Sequence, residues 1–232
     1  MSSELSGIAD RGARDHHIPA AKGQSHRIRR RLRHLTRTFE RALPRLSQWP
    51  EGTSEGRAAE WLLDNTHLLA EALEQLRTGL SAKFLRELPA QDSSPFAGEP
   101  RVYAIARQLT TEEEGRLDAE RVLAFLAAYQ SHSPLTMAEL WALPLMLRLV
   151  LLEDLAATAA ALAEIGEPGQ GGTARLWQGP PPPVPRPDAV GAHVQGLRWV
   201  AAIHWASFFE QVSRVHGVLC GDPAGVYPRM DF

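Results

Sequence analysis

Three polar side chains in the run EWLLDNTH offer an opening for chemistry. Glu60, Asp64 and His67 follow one another at i, i+4 and i+3 spacing, which on a helix sets two carboxylates and an imidazole on one face. Such a set could act as a carboxylate–imidazole acid/base pair or offer ligands to a metal. The plainer reading, adopted here, is a hydrogen-bonded helix surface that meets a neighbouring loop.

Two further positions invite a role. Arg148 lies one heptad after Trp141 in a very apolar run, and a buried guanidinium needs an anion. Glu139, Glu153 or a carboxylate on another helix is its expected partner, and orphaning that partner should cost about 3–5 kcal/mol. Arg101 and Tyr103 stand at a helix start within Gly98-Glu99-Pro100-Arg101-Val102-Tyr103. They could touch a substrate, but packing of the loop onto the helix is the ordinary explanation.

The signatures of common chemistries are missing. Gly169-Gln-Gly-Gly172 leads into Pro-rich chain and not into a helix, so it cannot present helix amides to a phosphate. There is no GK[ST] phosphate loop, no G-x-S-x-G elbow, no HExxH and no D-x-D pair. His16 and His17 lie in a polar leader, and the lone Cys220 reads as a small packed thiol. We therefore assign no catalytic, cofactor-binding or metal residue from sequence.

What must position these groups is helical. No stretch keeps a period-two alternation, and apolar residues recur every three to four positions, so the expected class is all-α: an irregular helical bundle with a Pro-rich linker before a final helix. Residues 1–24 read as a disordered leader and 25–48 as a basic amphipathic helix, breaking at Pro44. A helical domain is expected over 49–165, a Pro/Gly-rich linker over 166–189, and a C-terminal helix and tail over 190–232. Within the domain, one helix is expected from about Arg57 to Arg77, irregular chain from Leu80 to Gly98, and a helix after Pro100. Asp118 should cap another helix. Thr136 and Glu139 should form the capping box of a long one that Pro144 kinks. The last helix is expected from Val190 to Leu219 without a break.

The charge is uneven. Of 25 cationic residues, eight are arginines between Arg27 and Arg45, opposed there by Glu40 alone; 17 cations face 26 anions elsewhere. Ile28, Leu32, Leu35, Phe39, Leu43 and Leu46 make a stripe that should dock on the protein itself. An anionic membrane surface is the second candidate for Arg27–Arg45. Nucleic acid is set aside, because no aromatic residues are interleaved for stacking. No signal peptide is visible, and the most apolar window, Leu140 to Leu155, is too short and too charged to cross a bilayer. A cytoplasmic protein is expected, with the inner face of the inner membrane within its reach.

Several longer motifs carry a resemblance. EWLLDNTH at 60–67, FLRELP at 84–89, AGEPRVYAIA at 97–106, GRLD at 115–118, FLAAYQ at 125–130 and SPLTMAELWALPLMLRLVLLEDL at 133–155 resemble the N-terminal region of cyclic β-1,2-glucan synthases. IHWASFFEQVSRVHGVLCGDPAGVYPRMDF at 203–232 is similar to the next part of that family. The resemblance implies large bacterial inner-membrane enzymes that use UDP-glucose with a divalent cation to build β-1,2-linked glucan, and then cyclise it.

The transferase and phosphorylase-like domains of such enzymes lie outside the matched motifs, so no catalytic residue carries over to this chain. The stop at Phe232 and the Pro-rich stretch from Pro168 to Pro187 depart from the family pattern, and suggest a truncated gene product, a split gene or an excised piece. The expectation is a non-catalytic helical portion that scaffolds or docks the catalytic part, in cis or in trans. The alternative is a free-standing helical interaction protein derived from the same family.

Overall fold

The apolar run from Leu140 to Leu155 decides the architecture. In the computed structural model, which describes residues 7, 9, 25–47, 49–50, 52–92, 95–112, 115–164 and 184–213, it lies within a 28-residue helix. The described helices are α1 (Ser25–Leu46), α2 (Ser54–Asp64), α3 (Thr66–Gly79), α4 (Ala82–Glu87), α5 (Arg101–Glu112), α6 (Ala119–His132), α7 (Met137–Glu164), α8 (Val190–Ala202) and α9 (Trp205–Val212). No strand occurs among the described residues, only an isolated bridge between Ala90 and Pro100. The all-α expectation is met.

Helix α7 is apolar around its circumference and, apart from the exposed Met137 and Trp141 near its start, is enclosed accordingly. Met146, Leu147, Leu149, Leu151 and Leu152 point in different directions, and all are buried. Helices α1, α5, α8 and α3 pack around it. Its start follows the expected capping box: the Glu139 amide donates to Thr136 Oγ1 at 3.2 Å, and the Thr136 amide donates to Glu139 Oε2 at 2.9 Å. It continues through Pro144 to Glu164. Asp118 caps α6 by accepting from the Arg121 amide at 2.9 Å.

Helix α1 docks by its apolar stripe, with Ile28, Leu32, Leu35, Phe39 and Leu46 buried in the common core. It does not break at Pro44 but runs two residues further, to Leu46. A proline in the last turn forfeits one hydrogen bond without interrupting a longer ladder.

Three expected elements are divided differently. The helix placed over Arg57–Arg77 is two helices, α2 and α3, parted at Asn65. The Asn65 side chain donates to the Trp61 carbonyl at 2.7 Å and accepts from Arg198 at 2.7 Å, competing with the helical ladder. The chain from Leu80 to Gly98 is not wholly irregular, because Ser81 caps the short α4 by accepting from the Phe84 amide. The final helix ends at Ala202, and His204 caps a new one by accepting from the Ser207 amide.

The described chain just before α8 is docked on α7. The Arg186 amide donates to Thr158 Oγ1 on α7 at 3.0 Å, and a 3-10 turn over Pro187–Ala189 leads into α8. The rest of the Pro-rich stretch, residues 165–183, lies outside the described residues, as does the tail from 214. Of the leader, Gly7 and Ala9 are described, and Ala9 is buried.

Candidate functional site

The structure does not bring Glu60, Asp64 and His67 together. All three are exposed, and the break at Asn65 puts His67 on a different helix from the two carboxylates. None of them pairs with another. They lie on the solvated surface of α2 and α3, and the hydrogen bonds expected of them are not seen among the described residues.

Arg148 is buried but has no carboxylate within ion-pair distance among the described residues, which corrects the expected pairing with Glu139 or Glu153. Its guanidinium donates to the Pro144 carbonyl at 3.2 Å and the Val200 carbonyl at 3.1 Å. Val200 lies in the last turn of α8, where carbonyls lack helical partners and the helix dipole favours a cation. Burial pushes the Arg148 pKa down, opposed by the charge of Glu71. The anion that sequence reasoning looked for is thus a helix C-terminus.

Both expected acids serve other arginines. Glu139 takes a bidentate contact from Arg101, with Nε to Oε1 at 2.7 Å and Nη2 to Oε2 at 2.6 Å. Arg101 also donates to Ser133 Oγ at 2.6 Å and to the Pro134 carbonyl at 3.0 Å. Arg101 and Glu139 are enclosed, so Arg101 ties the first turn of α5 to the start of α7 and is buried away from solvent. The same holds for Tyr103, which is fully buried.

The largest polar assembly in the described residues surrounds Glu153. Arg31 of α1 contacts Glu153 Oε1 through Nε, at 2.8 Å, and through Nη2, while its Nη1 donates to Glu99 Oε2 at 2.8 Å. Tyr103 of α5 donates to Glu153 Oε2 at 2.7 Å, and Arg107 donates to the same oxygen at 2.6 Å. Arg107 also reaches Asp154 Oδ1 at 2.5 Å, and His193 Nε2 of α8 lies 3.6 Å from Asp154 Oδ2. The Arg31 guanidinium sits 4.2 Å from the centroid of the Tyr103 ring. Four helices therefore meet at one cluster of charges.

Electrostatics bind this cluster tightly. Arg31 and Arg107 oppose Glu99, Glu153 and Asp154 in a buried place, with Arg27 also acting on Glu99 and Arg186 on Asp154. Burial pushes Asp154 up to about 6 against the pull of Arg107, and it raises Glu99 against the pull of Arg31. Burial also raises the Tyr103 phenol, which therefore stays a proton donor. Arg31 is held above its ordinary value, because Glu153, Tyr103 and Glu99 together outweigh its desolvation. These groups can clamp helices and hold a proton at Asp154.

Sequence reasoning missed Arg31, Arg107 and Glu99 as partners. The signal was present in one of them: Arg31 falls three residues after Ile28 and four before Leu35, in phase with the buried stripe. A groove of about 550 Å³ lies elsewhere, between α6 and α9. It is lined by Leu123, Ala124, Ala127, Gln130, Ser131, Gln211, Val212 and Ser213, a set with no acid and no imidazole. Among the described residues no group of three or more His, Cys, Asp or Glu is placed to hold a metal ion. None of the described helices is long and apolar enough to cross a membrane. His16, His17, Gly169–Gly172 and Cys220 lie outside the described residues.

No protein-family model matches the chain. Over 104 residues, 45% of the chain, it is 38% identical to the cyclic beta-(1,2)-glucan synthase NdvB of Rhizobium meliloti (strain 1021). The aligned part is 4% of that relative's length, so the relationship is partial. It agrees with the N-terminal resemblance carried by the motifs.

Proposed function

We propose that this chain, related in part to a cyclic β-1,2-glucan synthase, is a non-catalytic helical portion of glucan-synthesising machinery that scaffolds or docks the catalytic part. That part is reached in cis or in trans. It alone handles UDP-glucose and the divalent cation, and the chain works in the cytoplasm.

One observation carries this reading: where the family-like motifs put their polar residues. Glu99, Arg101 and Tyr103 lie in AGEPRVYAIA, and Glu139, Glu153 and Asp154 lie in SPLTMAELWALPLMLRLVLLEDL. In the fold Arg101 meets Glu139 and Tyr103 meets Glu153, while Glu99 pairs with Arg31 and Asp154 with Arg107, and Glu99, Arg101, Tyr103, Glu139 and Glu153 are buried. Residue types that could serve acid/base chemistry here join α1, α5 and α7. Used in this way the motifs hold a shape, and a fixed shape suits a partner surface.

The test is association. The purified chain is titrated against the catalytic remainder of the Rhizobium meliloti synthase, prepared without the segment that this chain matches. Saturable one-to-one binding is expected, weakened by variants that unfold the Arg31–Glu153 cluster. Absence of binding by a folded chain overturns the proposal.

A further inference from the structure

Helix α1 carries a row of positive charge that the fold leaves uncompensated. Arg29, Arg33, Arg37, Arg41 and Arg45 recur at every fourth position, and all five are exposed. None of them has an ion-pair partner among the described residues, whereas Arg31 on the same helix is buried against Glu99 and Glu153. At about 100° per residue the row crosses the solvent face diagonally, with Arg37 opposite the buried stripe of Ile28, Leu35 and Phe39. Its length, at about 1.5 Å per residue, is about 24 Å. Like charges four apart repel, so the row weakens the helix that carries it.

We infer that this row is a docking surface for an anionic phospholipid bilayer, held by charge and without insertion. The apolar stripe that an interfacial helix would sink into lipid is already consumed by the core, with Ile28 and Leu35 each 1% exposed. What remains outward is a diagonal band of guanidinium groups centred on Arg37, with Arg33 and Arg41 beside it to meet an extended sheet of phosphates. The row contains no aromatic or aliphatic anchor of the sort that centres a protein–protein interface. It also contains no ring on which a base could stack. The contact draws only on the solvent face of α1 and not on the residues that carry the proposed function.

The experiment is co-sedimentation of the full chain with vesicles. One set is phosphatidylcholine alone, and another is two parts phosphatidylcholine to one part phosphatidylglycerol. Binding to the anionic vesicles only is expected, lost at about 1 M salt, where screening shortens the range of charge to about 3 Å. Substituting Arg33→Gln, Arg37→Gln and Arg41→Gln together should weaken binding about a hundred-fold, from about five-fold for each arginine, with the helical circular dichroism unchanged. Should the triple variant fold poorly, each single variant should still show its five-fold loss. Free glycerol phosphate at matched phosphate concentration should not compete. Equal binding to both vesicle types, no binding to either, displacement by free glycerol phosphate, tighter binding to duplex DNA, or full binding by the folded variants would each overturn the proposal.

Discussion

Tyr103 donates its phenolic proton to Glu153 Oε2 at 2.7 Å, across 50 residues of sequence and between α5 and α7. The opposite oxygen of Glu153 receives Arg31 from α1, so one carboxylate holds three helices in register. Every acceptor position of that carboxylate is used within the fold. The basic helix is thereby locked to the body by charge as well as by its apolar stripe.

Removing Arg31 should be expensive. Arg31→Leu leaves Glu99 and Glu153 buried without their shared cation, and a loss of about 3–5 kcal/mol is expected in urea unfolding. Arg33→Leu, two residues away on the solvent face, should change stability by less than about 0.5 kcal/mol. Equal effects at the two positions would mean that the cluster does not hold α1 in place.

Arg148→Leu should cost less than a broken buried ion pair. Its partners are two carbonyls and no carboxylate, so the variant forfeits two hydrogen bonds, one of them at the end of α8, and strands no charge. A loss of about 1–2 kcal/mol is expected, measured by the same unfolding. A loss of about 4 kcal/mol or more, the cost of an orphaned ion, would point to a hidden acidic partner.

Stability should respond to pH through Asp154. Its folded pKa is about 6 against an ordinary 3.8, so between those values the folded chain keeps a proton that the unfolded chain has released. Raising the pH through that window therefore removes stability, and the contribution is complete below about 4. Glu99, also raised by burial, acts in the same direction. Wild type compared with Asp154→Asn from pH 4 to 7 should show the wild type losing stability relative to the variant. A relative gain would reverse the sign and contradict the burial of this carboxylate.

Two glycines should separate backbone strain from steric conflict. Gly52 and Gly115 both adopt positive φ, at 85° and 83°. A Cβ at Gly52 meets nothing within 4 Å, so Gly52→Ala should cost only the left-handed conformation, about 1 kcal/mol. A Cβ at Gly115 lies 2.3 Å from His193 Cδ2, and Gly115→Ala should cost about 3 kcal/mol in thermal or urea unfolding. Equal costs would mean that α8 can shift away from the Gly115 turn.

Much of the helix pattern was legible from local signals. The Thr136–Glu139 box, the Asp118 cap and the start after Pro100 each rest on residues within four positions of one another. The breaks at Asn65 and at Ile203–His204 were hidden, because apolar residues keep the same spacing on both sides. Leu62 and Leu69 are both buried across the first break, and Val200 and Phe208 across the second. The charge cluster was the least legible part. Burial of Arg31 could be read from its phase with Ile28, but its choice of Glu153, 122 residues away, is made by tertiary packing. Arg148 misled for a related reason: a helix terminus is an anion equivalent that has no residue letter.

The central claim is that this chain positions and does not catalyse. Its most direct test is turnover by the purified, folded chain given UDP-glucose and a divalent cation, followed by glucose transfer and donor hydrolysis. Neither activity is expected, and His67→Ala, Glu60→Gln and Asp64→Asn should leave that outcome unchanged. Robust turnover that disappears in any of those three folded variants would contradict the claim, and would return the exposed trio on α2 and α3 to the centre of the molecule.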